Sequence, residues 1–294
     1  MELRVLKYFL MVAREGSITA AANALHITQP TLSRQIRELE EEVGSPLFVR
    51  GSHSISLTEE GVLLRKRASE ILELVEKTQR EMARTEQTLS GDVFLGAGET
   101  VGVHYLTQTA RELQRQHPDV HVHISSGDGS DVLERLDKGL VDFALVFGSV
   151  DLAKYHAIAL PYKDLWGVLM RKDSMLAQKQ EIRPEDLADQ PLILSRQAFR
   201  NELLSGWFGK LADRMQVVGT YNLVFNGSLM VEDGIGYALC LDKIIRTSED
   251  SPLCFRPLSP KWEAGMYVLW KKYPIFAPAA ERYLELLLKL GTPM

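Results

Sequence analysis

The stretch that most constrains this chain is residues 17–43, SITAAANALHITQPTLSRQIRELEEEV. It reads as two short helices meeting in a tight turn at Leu25–Ile27. Ser17 is placed to cap the first helix, which runs through Leu25, because its hydroxyl can accept from an otherwise orphaned amide. Ala20, Ala21, Ala22 and Ala24 give that helix a small-residue surface on which a crossing helix can lie close. Thr28 is placed to cap the second helix, and Pro30 falls in its first turn, where a missing amide costs nothing. Leu32, Ile36, Leu39 and Val43 follow the three-four spacing of a buried face. Pro30, Ser33, Arg34 and Arg37 lie opposite, flanked by Gln29 and Thr31 at the N-terminal end. Gln and Arg can pair bidentately with base edges, Ser and Thr can hold phosphates or bases, and a helix N-terminus favours phosphate. A merely solvated face is the alternative for any one such helix. The capped helix and tight turn before it favour a DNA-reading helix-turn-helix.

The flanking residues extend this head. Leu3, Leu6, Phe9, Leu10 and Ala13 predict a helix over 2–13, ended by Gly16. Leu47–Val49 and Ser54–Leu57 can pair as a small wing around Gly51, with Arg50 and His53 near a tip able to reach phosphates or the minor groove. Thr58 then caps a long helix whose first turn carries Glu59 and Glu60, the favourable sign there. Leu64, Ala68, Ile71, Val75, Thr78, Met82, Thr85 and Leu89 step alternately by four and three, a heptad seam with two weak threonine members. Plain core packing is the bland reading of such a row. A helix this long and this charged elsewhere favours a seam between two copies of the chain. The predicted organisation is a head over 1–58, a dimerisation helix over 59–90 and a third region over 91–294.

The formal net charge of -5 argues against non-specific nucleic-acid binding by the whole chain. A small head can still carry local positive charge on an acidic body. The two cysteines, Cys240 and Cys254, have no metal-ligand or redox-pair spacing and read as reduced core thiols, which suits a cytoplasmic protein. No leader opens the chain and no apolar run reaches the ~18 residues of a spanning helix, so no membrane partner is expected.

The run FLMVAREGSITAAANALHITQPTLSRQIRELEEEVGSPLFVR, followed by SLTEEG, resembles the LysR-type transcriptional regulators, and the likeness covers residues 1–90 without interruption. The resemblance implies that Gln29, Pro30, Ser33 and Arg34 lie at or near DNA and that the wing, 50–54, touches the backbone or minor groove. The wing here departs from the family pattern, offering GSHS where several Arg or Lys are common. The resemblance further implies a homodimer, assembling into a homotetramer, on an inverted-repeat operator, and contact with RNA polymerase.

Beyond Gly91, Val93–Ala97, Val120–Ile124 and Val141–Phe147 alternate with helical segments at 102–116 and 130–139, a βαβαβ run that implies a parallel sheet. A second set begins at Tyr162–Met170 and Leu192–Ser195. Helices near Phe199–Met215 and Gly227–Glu232 and strands at Val217–Tyr221 and Gly236–Leu241 continue it. Met266–Lys271 is a strand and 277–290 a closing amphipathic helix. The fold class is thus α/β: an all-α winged helix-turn-helix with a long helix, then a two-subdomain, Rossmann-like domain. By resemblance the latter has the type 2 periplasmic-binding-protein architecture, with 91–161 and 266–294 as one subdomain, 162–265 as the other, and a small-molecule effector in the cleft between them.

Candidate effector positions follow from strand ends, where open α/β sheets bind ligands. FLGAGETVG has its third glycine one residue late for a dinucleotide fingerprint, at Gly102. Its free amides and the Thr100 hydroxyl, with Val101 beside it, could instead hold an anion, or Thr100 could simply cap a helix. Gly127 opens the turn GDGSDV; Phe147 and Ser195 end strands; Asn226 sits in an expected strand-to-helix turn after Val224–Phe225. Phe199 could wall the pocket or pack in the core, and Arg196 or Arg200 could pair an anionic effector or lie on the surface. His121 and His123 share a strand face but have no evident third ligand, so a hydrophilic face is expected rather than a metal site. No GxSxG, HExxH or P-loop occurs, so neither catalytic residues nor a cofactor are expected. The competing class is a binding module or enzyme with an appended dimerisation domain, which the α/β region alone would permit.

Overall fold

Gly16 sets the entry to the head. It takes the left-handed conformation (φ 61°) that closes α1 (Leu3–Glu15), its amide donating to Val12 O, and turns the chain into α2 (Ile18–Ala24). The computed structural model describes residues 1–50, 55–82, 89–148, 150–200, 203–290 and 292–293. They form two compact units, Met1–Ala83 and Arg84–Met294.

In the first unit the Ser17 hydroxyl accepts from the Ala20 amide at 3.3 Å, as the capping pattern requires. Ala21 and Ala22 are buried, so α1 and α3 (Gln29–Val43) can approach α2. His26 makes the turn at φ 55°, and the Ile27 amide donates back to Ala22 O. Leu32, Ile36 and Leu39 are buried with Phe9 between the helices. Val43 departs from the expected stripe: it is 41% exposed, because α3 ends there at Gly44 and the stripe has run past the core. Thr28 also departs. It has extended capping geometry, but its hydroxyl bonds the Thr31 hydroxyl at 2.8 Å and no backbone amide.

The wing strands β1 (Phe48–Arg50) and β2 (Ile55–Leu57) pair antiparallel; β1 starts one residue later than expected, and Ser54, the expected start of the second strand, lies outside the described residues. Leu47 is fully buried in the helical core instead. Glu40 of α3 accepts from the amides of Leu47 (2.8 Å) and Phe48 (3.2 Å), tying the wing to the second helix. Thr58 caps α4 (Glu59–Met82): its hydroxyl accepts from the Gly61 amide at 2.9 Å and donates to Pro46 O at 2.8 Å. Gly61 has to be glycine, since a Cβ there would come within 2.1 Å of Leu47 O.

The second unit has two lobes. In the first, β3 (Gly91–Ala97) lies parallel to β4 (Val120–Ser126) and β5 (Phe143–Phe147), with α5 (Val103–Gln116) and α6 (Gly129–Asp137) as crossovers. β6 (Tyr155–Arg171) follows. The second lobe then adds α7 (Pro184–Leu187), β7 (Pro191–Ser195), α8 (Arg196–Arg200), α9 (Leu203–Phe208), β8 (Gln216–Tyr221), α10 (Val224–Glu232), β9 (Tyr237–Leu241) and β10 (Leu253–Pro257). Here β7 is parallel to β8 and β9. β11 (Glu263–Lys271), α11 (Pro278–Leu290) and β12 (Thr292–Pro293) return the chain to the first lobe.

The expected subdomain boundary at 161/162 falls inside β6, which is one continuous strand of 17 residues. Its start pairs with β11 in the first lobe and its end with β9 and β10 in the second. β11 crosses as well, shifting register between Gly265 and Tyr267. Two antiparallel strands therefore join the lobes. The expected strand at Val224–Phe225 is not one: β8 ends at Tyr221 and α10 already begins at Val224.

Candidate nucleic-acid interface and inter-lobe cleft

The buried stripe of α3 turns its other side to solvent. Thr28, Gln29, Pro30, Thr31, Arg34 and Arg37 are exposed and Ser33 is half-buried. Arg34 leaves 71% of its side chain exposed, and its nearest carboxylate, Glu38, approaches only to 3.6 Å. Residues 29–37 of α3 thus present two guanidinium groups, an amide and hydroxyls together, while Glu38, Glu41 and Glu42 follow towards the C-terminal end. The positive charge of this face is therefore concentrated ahead of Glu38. Arg50 is described through its backbone in β1 alone, and His53 lies outside the described residues.

The expected pairing seam divides. Leu64, Ala68 and Ile71 pack against the core of the head itself, and Ala68 has no surface left. Val75 is half-buried and Met82 is 78% exposed. Leu89 packs against the core of the second unit, and Thr85 lies outside the described residues. A helix that must close the head's core spends its first apolar turns there. The large apolar side chains exposed along α4 are Val62, Leu63, Leu74 and Met82. Leu63 and Leu74, eleven residues apart, share one face, since eleven residues make about three turns.

In the second unit, strand ends converge from both lobes. Gly98 and Glu99 follow β3, Gly127 and Asp128 follow β4, and Phe147 ends β5. Ser195, Tyr221 and Leu241 end β7, β8 and β9, and all these residues line one cavity of about 40 Å³. That is room for a water or so, far below the ~300 Å³ at which metabolite pockets begin. Of the expected effector residues the structure gathers Gly127, Phe147 and Ser195 here. Thr100 and Val101 line a separate groove with His104 and Lys243. The Thr100 hydroxyl accepts from the Gly102 amide and donates to the Asp164 carboxylate. Phe199 is 53% exposed, and Asn226 is exposed in the first turn of α10; neither lines the cavity.

The polar groups around the cavity are engaged with one another across the lobes. Arg196, at the start of α8, donates to Asp128 at 2.8 Å and to Asp131 at 2.6 Å. Gln197 accepts from the Gly129 amide at 3.0 Å. Glu99 accepts from the Val224 amide at the start of α10. Burial works to raise the Asp128 carboxyl, but hydrogen bonds from Ser130, the Asp131 amide and Arg196 outweigh it and hold the group below its usual range. Glu99 goes the other way: burial lifts its carboxyl above the usual range despite the single amide. Burial likewise lifts Asp164, against the Thr100 hydrogen bond. None of the cross-lobe pairs was foreseen, apart from Arg196 as a candidate anion partner.

Cys240 also lines the cavity; both cysteines are buried and free, and burial pushes the Cys240 thiol up to about 12. That keeps it protonated and unreactive at neutral pH. A ring N–H of His123 donates to the Asp92 carboxylate at 2.8 Å, and the ring stacks on Phe94. Among the described residues no cluster of three or more His, Cys, Asp or Glu is placed to hold a metal, and no helix is long and apolar enough to cross a membrane.

A winged helix-turn-helix with a bare polar recognition helix, followed by a two-lobed α/β unit with a cleft at its strand ends, defines a class: one-chain transcription regulators with a separate ligand-type body. Residues 3–62 match the family model of the bacterial regulatory helix-turn-helix proteins of the lysR family, and residues 86–291 match the LysR substrate binding domain. The chain belongs to the LysR family and is a DNA-binding transcriptional regulator. Over 256 residues it is 28% identical to the HTH-type transcriptional regulator IlvY of Escherichia coli K12, covering 85% of each chain. It is 30% identical to the hydrogen peroxide-inducible genes activator of Pectobacterium carotovorum over 66% of this chain and 64% of that one. The fold is that of CbnR, a LysR family transcriptional regulator (TM-score 0.74, 20% identity, 99% and 100% of the two chains covered). It also matches full-length CbnR complexed with its target DNA (TM-score 0.72, 19% identity, 99% and 100% covered).

Proposed function

We propose that this regulator reads an inverted-repeat operator in the cytoplasm as a homodimer, which pairs further into a tetramer and contacts RNA polymerase. Gln29, Thr31, Ser33, Arg34 and Arg37 of each α3 face the major groove, with Thr28 and Pro30 at its lip and the wing residues Arg50 and His53 outside it. A small-molecule effector enters the cleft of the second unit and changes how firmly the paired heads hold DNA. It can do so only in proportion to its preference for one lobe arrangement over the other.

The observation that carries this reading is the interlock across the cleft. Arg196, Gln197 and Val224 of one lobe are bonded to Asp128, Asp131, Gly129 and Glu99 of the other, around a cavity too small for a metabolite. A guest must break some of these bonds, so filling the cleft and repositioning the lobes are one event. Arg196→Ala unlocks the cleft without touching the head. In an anisotropy titration of labelled operator, the variant is expected to shift affinity several-fold relative to the wild type, with the head still folded by melting. Superimposable titrations and identical footprints would show that the cleft does not speak to the head.

A further inference from the structure

We propose that the guest of this cleft is a cation: a small organic amine carrying an apolar, ring-sized body. The inference rests on reading the cleft as the regulatory site and names the chemistry that site recognises.

The first argument is the charge inventory. The lining holds two carboxylates, Glu99 and Asp128, and one guanidinium, Arg196. Arg196 is already held by Asp128 and by Asp131 behind it, at 2.6–2.8 Å. Glu99 meets only the Val224 amide, and among the described residues no cation pairs with it. Lys243, the other cation in the neighbourhood, belongs to the separate groove beside Thr100 and acts on Asp164. The cluster therefore holds more carboxylates than cations, and burial lifts the Glu99 carboxyl with only the Val224 amide working against it.

The second argument is occupancy. The start of α10 and the guanidinium of Arg196 are the places a carboxylate guest would use, by amide donation and by a bidentate fork. Glu99 fills the first and Asp128 with Asp131 fills the second. An anionic guest would have to displace the chain's own carboxylates and then sit beside them. An ammonium group would instead meet Glu99 directly.

The walls supply the third argument. Phe147 and Trp166 stand edge to face at 6.3 Å, and Trp166 is backed by Trp262, stacked at 5.1 Å. The Tyr221 hydroxyl is spent on Leu239 O at 2.7 Å, leaving its ring as what it can offer. Rigid aromatic faces beside an uncompensated carboxylate favour a desolvated cation and an apolar body together. The cavity as it stands, about 40 Å³, is smaller than such a guest, so the guest has to widen it.

Three probes that share a phenyl body separate the cases: 2-phenylethylamine, 2-phenylethanol and 3-phenylpropanoate, added to the full-length protein at millimolar concentration in ligand-observed NMR. The amine is expected to bind at least about tenfold more tightly than either companion. Glu99→Gln should remove that advantage and leave the alcohol unchanged, with a melting curve confirming that the variant folds. Equal or stronger binding of the propanoate, an amine preference that survives Glu99→Gln, or no binding of the amine overturns the proposal. The wild-type ranking decides by itself if the variant does not fold. Adding each probe to an operator titration keeps the two readings apart. An amine that binds yet leaves operator occupancy unchanged breaks the regulatory reading and not the ligand class; a propanoate that binds and alters occupancy does the reverse.

Discussion

The recognition face of α3 and the cleft of the second unit use polar residues in opposite ways. On α3 they stand in water: Arg34 has one loose carboxylate neighbour at 3.6 Å, and Gln29, Thr31 and Arg37 are exposed. In the cleft most such groups are committed across the lobes, Arg196 to two aspartates and Gln197 to a backbone amide. The difference follows from burial. A solvated donor waits for DNA at little cost, whereas a buried polar group without a partner costs about 1–3 kcal/mol. The head can therefore be built ready for DNA, while the cleft has to satisfy its buried polar groups from within the chain.

The sharpest way to break that comparison is to separate the heads. Binding through two linked half-sites gains ~10²–10⁴ over one, so losing the pair is the largest effect available. We expect Leu63→Asp with Leu74→Asp to lower operator affinity by about 100-fold or more, while the head keeps its melting transition. Both side chains are exposed in the single chain, so the head's core is untouched. Ile71→Asp is the contrast: it packs against the head's core and should melt the head itself. An operator affinity that holds within about twofold in the double variant would exclude this face of α4 from pairing.

Next in size is the reading face. Arg34→Ala should weaken operator binding by about 1–3 kcal/mol for each half-site in which the guanidinium reaches a base edge. Arg34→Lys separates two roles, because lysine keeps the charge and loses the fork. Recovery with lysine would make Arg34 a phosphate contact, and no recovery a base contact. A wild-type titration curve for the alanine variant, at one fixed salt concentration, would remove Arg34 from the interface.

The same contrast explains what could be read from the residues alone. The head is local: Ser17 with Ala20, Thr58 with Gly61, and Leu32, Ile36 and Leu39 lie within a turn or a few turns, so spacing reveals them. A heptad row is ambiguous by nature, since Leu64, Ala68 and Ile71 keep the same spacing whether their partner is the head's own core or a second chain. The cleft is non-local. Arg196 meets Asp128 across 68 residues and Glu99 meets Val224 across 125, and no periodicity spans such distances. Strand-end reasoning found Gly127, Phe147 and Ser195 because it needs only the end of each strand. It failed at Asn226, where the apolar pair Val224–Phe225 opens a helix rather than closing a strand. β10 and the first part of β6 went unread, although β10 completes the second-lobe sheet and the first part of β6 anchors the inter-lobe strand in the first lobe.

The smallest expected effect asks whether the cleft satisfies itself completely. Burial holds the Glu99 carboxyl above its usual range, with the Val224 amide pulling weakly the other way. The folded chain then keeps a proton that the unfolded chain has released. Stability from this group is present below the ordinary glutamate range and is lost as pH rises through the higher folded value. Glu99→Gln removes the loss and keeps an acceptor for Val224. Its melting temperature for the second unit should match the wild type near pH 4 and exceed it by about 1–2 °C at pH 7. Asp128→Asn should do the opposite, because Asp128 is held below its usual range with Arg196 among its partners: the variant loses stability at neutral pH, and the deficit shrinks on acidification. Paired melts of the three proteins across this range decide the matter. If Glu99→Gln tracked Asp128→Asn instead, Glu99 would be as well compensated as its neighbour, and the cleft would have no unmet charge for a guest to fill.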